Sequence, residues 1–124
     1  MQIRASAEDY LETILLLSKK TGAVRSIDIV GEMGFSKPSV SVAMKKLREN
    51  ELIRMDTDGY ITLTPRGEEV AERVYERHAL LYDWLVSIGV SEKIAAADAC
   101  RMEHILSGET FEAVRQAYEH RRNG

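Results

Sequence analysis

One pentapeptide of the sequence concentrates side chains that bind transition metals: Cys100-Arg101-Met102-Glu103-His104. On a helix, Cys100, Glu103 and His104 stand at i, i+3 and i+4, so a thiolate, a carboxylate and an imidazole emerge from one face. Three donors of different hardness could converge there on one ion. The same spacing is also found on ordinary half-buried helix faces with a packed cysteine and a solvated Glu-His pair. The pentapeptide alone leaves both interpretations open.

Two further sets of polar residues are weaker signals. Asp9 and Glu12 stand at i and i+3 on the first predicted helix, away from its apolar stripe, and His78 lies midway along the fourth. An acidic pair in a first turn usually complements the helix dipole, and a lone histidine is usually a surface or satisfied residue. Neither set predicts a metal site by itself.

The charge of the chain is segregated. With 17 basic and 20 acidic residues the net charge is -3, so any nucleic-acid binding must come from a local patch. The segment 36–48 carries four basic residues and no acidic one. We expect its lysines and hydroxyls to meet DNA, the alternative being a solvated basic helix. The expected DNA-binding residues are Ser36, Lys37, Ser39, Ser41, Lys45 and Lys46.

Composition bounds the class of protein. A chain of 124 residues with 44% hydrophobic residues and only 2 Pro can form a packed core, and its length excludes a large multi-domain enzyme. The sequence has no apolar run of the roughly 18 residues that a membrane span needs, and its first residues do not resemble a signal peptide. The single cysteine, Cys100, excludes an intramolecular disulfide. We therefore expect a soluble, cytoplasmic protein with no membrane association.

The first half of the chain has the pattern of a winged helix. Apolar spacing predicts a first helix, and Ser26 and Ser36 are candidate caps of a second and a third, which together form a helix-turn-helix. Two short strands around a four-residue turn follow as a β-hairpin. The predicted ranges are 7–20, 26–33 and 37–51 for the helices, and 52–55 and 60–63 for the strands.

The wing of this predicted domain is unusual in its charge. Its tip is Asp56-Thr57-Asp58-Gly59, which is acidic where a phosphate contact would need Lys or Arg. Either the wing stays off the DNA backbone or Arg54 makes the contact.

The second half reads as helical throughout. Thr64 caps a fourth helix with Pro65 at its first position, Ser91 opens a fifth through 108, and Thr110 opens a sixth through Tyr118. The apolar face of these helices is larger than about 60 residues can cover, which predicts a homodimer. Its members are Leu80, Leu81, Trp84, Leu85, Ile88, Ile105, Leu106, Phe111 and Val114. The predicted fold is mainly α, with a winged helix-turn-helix at 1–64 and an all-helical dimerisation domain at 65–124.

Several separated motifs carry a family resemblance. They are Glu8-Asp9-Tyr10-Leu11-Glu12, Thr64-Pro65-Arg66-Gly67, Arg77-His78-Ala79-Leu80-Leu81 and the run from Asp98 to Ser107. In this order, with the winged helix, they resemble the diphtheria toxin repressor and manganese transport regulator family across nearly the whole chain. Members of that family are dimeric, metal-activated transcriptional repressors.

The resemblance implies one ligand set drawn from both halves of the chain: Asp9, Glu12, His78, Cys100, Glu103 and His104. Asp9 and Glu12 are similar to the manganese branch, whereas Cys100 matches the iron branch, since the manganese branch has Glu there. A soft sulfur in place of a hard oxygen favours Fe²⁺, Co²⁺ or Zn²⁺ over Mn²⁺. Tyr82 and Ala96 stand where the iron branch has Glu and His for an ancillary site.

The implied function is a metal-activated repressor of iron or manganese homeostasis genes. Its cofactor would be Fe²⁺ or Mn²⁺, with Co²⁺ or Zn²⁺ possible in vitro, and its partners a double-stranded DNA operator and a second copy of the chain. One alternative is a winged-helix repressor that responds to Zn, Co or an organic ligand, with the Cys/Glu/His set structural. An enzyme that uses a Glu beside a metal to activate water is a weaker rival, because no substrate cleft is legible.

Overall fold

The computed structural model describes the backbone of residues 5–123 and the side-chain environment of residues 7–122. Over that range it contains six helices and one two-stranded sheet, which confirms the predicted fold class. The elements are α1 (Ala5–Thr21), α2 (Ser26–Met33), α3 (Lys37–Glu49), β1 (Ile53–Met55), β2 (Ile61–Leu63), α4 (Pro65–Ser87), α5 (Glu92–Ile105) and α6 (Gly108–Asn123). Among the described residues, no helix is both long and apolar enough to cross a membrane.

The chain divides into two compact units, and the division follows Val74 inside α4. The predicted domain boundary at 64/65 coincides with the start of that helix. Because α4 runs through both compact units, the boundary between the DNA-binding and the dimerisation domain at 64/65 stays a prediction.

The helix-turn-helix is set by local hydrogen bonds. Gly34 ends α2 in the left-handed region with φ 72°, and its N–H donates to the carbonyl of Val30 at 2.9 Å. Ser36 then caps α3 as predicted, because its Oγ accepts a hydrogen bond from the N–H of Ser39 at 3.3 Å. Apolar side chains of α1, α2 and α3 form the core below, among them the fully buried Leu11 and Ile29.

Two predicted details of these helices are wrong. Ser26 does not cap α2: it is the first helical residue, and Arg25 precedes it as the cap, with its N–H donating to Asp28 Oδ2 at 2.8 Å. The third helix ends at Glu49 rather than 51, because Glu51 turns the chain with φ 58°. That turn lets the N–H of Leu52 donate back to the carbonyl of Leu47 at 3.0 Å.

The hairpin and the start of α4 close the first unit. The strands pair antiparallel with Ile53 opposite Leu63 and Met55 opposite Ile61. Thr64 is the predicted cap: its Oγ1 accepts from the N–H of Gly67 at 3.1 Å and donates to the carbonyl of Glu51 at 2.7 Å. The hydroxyl therefore ties the first turn of α4 to the segment that follows α3.

The second unit has a small core of its own. Leu81 and Leu85 of α4 are buried there with Ala95 and Ala99 of α5. Both leucines were expected on the dimer face, but they complete the interior of one subunit instead. The sixth helix also differs from expectation: it begins at Gly108, because Ser107 Oγ accepts from the N–H of Thr110 at 3.1 Å, and it runs on to Asn123.

Candidate metal centre and nucleic-acid interface

The inner face of α5 carries two small residues and one acid. Ala95 and Ala99 are fully buried, and Glu103 is only 2% exposed. The three residues are four apart, so they lie on one stripe of the helix. A carboxylate on such a stripe costs free energy unless its charge is compensated. Among the described residues of the second unit, Glu103 is the buried charged side chain that a chemical partner has to explain.

Two imidazoles flank the Glu103 carboxylate. His78 Nδ1, on α4, lies 3.2 Å from Oε2, and His104 Nε2 lies 3.3 Å from Oε1. Both carboxylate oxygens are shielded from solvent, and neither accepts a hydrogen bond from any residue in the described part of the chain. A divalent cation held between a carboxylate and two imidazoles would satisfy both oxygens. The side chains present thus fit a transition-metal ion.

Cys100 adds a sulfur donor to the same cluster. Its Sγ lies within 4.8 Å of a Glu103 carboxylate oxygen, and the residue is exposed. Helical spacing on α5 brings the two side chains together, as the sequence suggested. Four of the six predicted ligands thus form one cluster, with His78, Cys100 and His104 around Glu103. That they bind a metal stays a prediction.

The other two predicted ligands lie in the first unit. Asp9 and Glu12 are half-buried on α1, beside the buried Leu11. Glu8, directly before Asp9, has its Oε2 3.5 Å from Arg73 Nη2, an ion pair that links α1 to α4 within this unit. That Asp9 and Glu12 join the ligand set of the second unit also stays a prediction.

Arg77 is a residue whose role the sequence did not reveal. Its Nη2 donates to the carbonyl of Leu106 at 3.0 Å, and its guanidinium lies 4.7 Å from the centre of the Phe111 ring. Arg77 therefore ties the α4 turn that carries His78 to the end of α5 and to α6. The sequence signal that could have indicated this role is the position of Arg77 directly before His78.

The expected DNA-binding residues lie on one exposed helix. Val40, Met44 and Leu47 form the buried stripe of α3, and all six predicted residues are exposed. Ser36 and Ser39 are partly committed to the helix cap, since Ser36 Oγ also donates to Ser39 Oγ at 2.9 Å. These six are Ser36, Lys37, Ser39, Ser41, Lys45 and Lys46.

One acidic residue lies beside this basic surface. Lys45 Nζ is 4.0 Å from Glu49 Oε1, with side chains 70% and 61% exposed. A pair so exposed contributes little free energy, so Lys45 can exchange Glu49 for another anion.

The structure explains the acidic tip of the wing. Asp56 Oδ1 accepts hydrogen bonds from the N–H groups of Asp58 and Tyr60, both at 2.9 Å. The carboxylate therefore shapes the hairpin turn, as aspartates do in Asx turns. Arg54, on β1, is exposed, which keeps it available for a phosphate.

Comparison with known families accounts for almost the whole chain. Residues 2–60 match the model described as iron dependent repressor, N-terminal DNA binding domain. Residues 64–123 match the model described as iron dependent repressor, metal binding and dimerisation domain.

Individual relatives agree with the family models. The transcriptional regulator MntR of Escherichia coli O6:H1 is 38% identical over 112 residues, which cover 90% of this chain and 72% of the relative. Among solved structures, the manganese regulator SloR superposes with a TM-score of 0.81 at 27% identity, over 96% of this chain and 55% of SloR. A manganese-dependent transcriptional repressor in complex with manganese gives 0.81 at 26% identity, over 90% and 51%. The chain thus spans about half the length of these two solved proteins.

Proposed function

Because the chain belongs to the iron-dependent repressor family of transcriptional regulators, we propose that it is a metal-activated repressor that controls iron or manganese homeostasis. The observation that carries the proposal is the buried Glu103 carboxylate between the nitrogens of His78 and His104. In a regulator with a basic helix-turn-helix, such a cluster is the natural place for the signal to bind.

The proposed ligands are Cys100, Glu103, His104 and His78 from the second unit, together with Asp9 and Glu12 from α1. A bound cation supplies positive charge that neutralises the buried carboxylate and fixes the side chains around it. Ligands from two parts of the chain couple metal binding to the arrangement of the DNA-binding part. Arg77 would position His78 and the end of α5 through its contacts with the carbonyl of Leu106 and the ring of Phe111.

Fe²⁺ or Mn²⁺ is the proposed cofactor, with Co²⁺ and Zn²⁺ as substitutes in vitro. The two carboxylates on α1 suit Mn²⁺, whereas the Cys100 sulfur suits the softer ions. The names of the relatives do not separate the two ions, since the two solved proteins are named for manganese and the family models for iron. No catalytic residue is proposed, and the cytoplasm is the proposed location, since the relatives are transcriptional regulators.

The proposed target is an operator in double-stranded DNA, bound by a homodimer. Dimerisation is supported by isoleucines that the second unit leaves exposed, Ile88 at 46%, Ile94 at 53% and Ile105 at 78%. A second copy would cover them, and two-fold symmetry would present two copies of α3 to successive half-sites. Sedimentation as a monomer at micromolar concentration would contradict this assembly.

The decisive test is DNA binding as a function of metal. A fluorescent duplex that carries the control region of a metal-uptake gene is titrated with protein in Mn²⁺, Fe²⁺, Co²⁺, Zn²⁺ or chelator, under reducing and anaerobic conditions. We expect at least one ion to tighten binding about 5- to 150-fold, the usual range of an allosteric coupling, and Glu103→Gln to remove the gain. Equal affinity in chelator and in every metal would reject the proposal and favour a repressor with a structural Cys/Glu/His cluster.

A further inference from the structure

An apolar side chain lies in the middle of the outer face of α3. Val42 is 55% exposed, whereas Val40, Met44 and Leu47 of the same helix are buried. A helix turns by about 100° per residue, so Val42 points away from the buried stripe. Its side chain therefore lies outside the core cluster that holds the helix-turn-helix together.

Helix stability does not explain why position 42 is a valine either. Valine loses side-chain freedom in a helix and is a weaker helix former than alanine or lysine. A single exposed apolar residue is common on protein surfaces. Val42 differs from such a residue because polar and cationic side chains surround it.

Val42 has a polar and cationic rim. Ser39 and Ser41 precede it, and Lys45 and Lys46 follow at i+3 and i+4; all four are exposed. Among residues 7–122, the group that competes for the charge of Lys45 is Glu49, in a weak and exposed ion pair. An apolar centre with a cationic rim is complementary to a polyanion that exposes an apolar group between its charges.

The major groove of duplex DNA has that chemistry. Phosphates line both edges of the groove, and the C5 methyl group of thymine is its apolar element. The second helix of a helix-turn-helix enters the groove with its amino-terminal residues toward the bases, and Val42 is the sixth residue of α3. Without a hydrogen-bonding group, its side chain can contact a methyl group but cannot read donors and acceptors.

Resting on the proposed function, we propose that Val42 is a specificity-determining residue that contacts the C5 methyl group of one thymine in each operator half-site. The lysines and serines around Val42 bind the phosphate backbone of the DNA, and Val42 distinguishes thymine from the other bases.

The test compares thymine with uracil, which lacks only the methyl group. A duplex is first selected from a random pool with protein loaded with the ion that tightens DNA binding most, and each thymine is then replaced singly by uracil. At one thymine per half-site, wild-type affinity falls about fourfold, which corresponds to the ~0.8 kcal/mol of one buried methylene-sized group at ~1.4 kcal/mol per tenfold. Val42→Ala binds the thymine duplex more weakly and no longer distinguishes uracil from thymine there.

Two controls separate the possible failures. Leu16→Ala removes another exposed apolar side chain, 43% exposed on α1, and keeps the wild-type preference for thymine. If the affinity of Val42→Ala falls by the same factor as that of wild type at every uracil, Val42 does not touch the methyl group and the inference is overturned while DNA binding stands. If wild type selects no duplex when it is loaded with Mn²⁺, Fe²⁺, Co²⁺ or Zn²⁺, the proposed function fails and this inference with it.

Discussion

Gly67 is a position where the structure leaves no room for a side chain. A Cβ there would overlap the carbonyl group of Leu52, which also accepts a hydrogen bond from the N–H of Thr64 at 3.1 Å. The obstacle is backbone, so no change of side-chain rotamer relieves it. Gly67→Ala must push the first turn of α4 away from the segment that follows α3.

The cost can be worked out from these contacts. Overpacking costs about 1–3 kcal/mol, and each hydrogen bond that the displacement weakens contributes about 0.5–1.5 kcal/mol. The bonds at risk are those of the Thr64 N–H to Leu52 and of the Thr64 hydroxyl to Glu51. Alanine offsets about 1 kcal/mol of this loss, because it is a better helix former than glycine. We expect the free energy of unfolding to fall by about 3 kcal/mol, a large share of the ~5–15 kcal/mol of a typical domain.

Urea unfolding followed by circular dichroism measures this loss. The matched control is Gly31→Ala, because Gly31 lies in α2 and a Cβ there meets no atom within 4 Å. That substitution should raise the free energy of unfolding by about 0.5–1 kcal/mol, since alanine restricts the unfolded chain. If Gly67→Ala unfolds at the wild-type urea midpoint, the close approach of α4 to Leu52 is refuted.

Three further predictions concern metal and DNA. Lys37→Ala and Lys45→Ala should each weaken DNA binding and lower its salt slope by about one for every phosphate that the lysine neutralises in the wild type; slopes like that of Lys93→Ala, on α5, would place these lysines off the DNA. Cys100→Glu should shift activation toward Mn²⁺, with wild type responding better to Fe²⁺ or Co²⁺; identical metal titrations would show that the Cys100 sulfur is not a ligand. Asp9→Ala should keep part of the metal binding yet lose most of the roughly 5- to 150-fold metal-induced gain in operator affinity; an intact gain would show that α1 is not tethered by the ion.

Local chemistry made much of the fold predictable. The caps at Ser36 and Thr64 and the turn at Gly34 follow from hydrogen bonds and backbone preferences within a few residues, and the structure has all three. The capping prediction at Ser26 was wrong because the residue before it takes that position: the carboxylate of Asp28 accepts a hydrogen bond from the N–H of Arg25. The left-handed φ of Glu51 was missed because glycine is the residue expected there, whereas here a glutamate makes the turn that lets the N–H of Leu52 donate to the carbonyl of Leu47.

The candidate site was predictable in its residue types but not in its burial. Spacing along α5 brought Cys100, Glu103 and His104 to one face, but it could not say which of them is buried. Burial depends on packing between helices, and the available hint was the four-residue step from Ala95 through Ala99 to Glu103. Leu81 shows the same limit, because an apolar stripe does not say whether its own subunit or a second copy covers it.

The central claim is that the Glu103 carboxylate binds the activating metal, and the metal-dependent shift in unfolding tests it most directly. An ion that binds only the folded protein adds about 2.7 kcal/mol at a concentration of 100 Kd. If Glu103→Gln weakens affinity a hundredfold, only about 0.4 kcal/mol remains at that concentration. We expect wild type and the exposed control Glu109→Gln to shift equally with Mn²⁺ or Fe²⁺, and Glu103→Gln to shift hardly at all. A shift in Glu103→Gln as large as that of wild type would contradict the account.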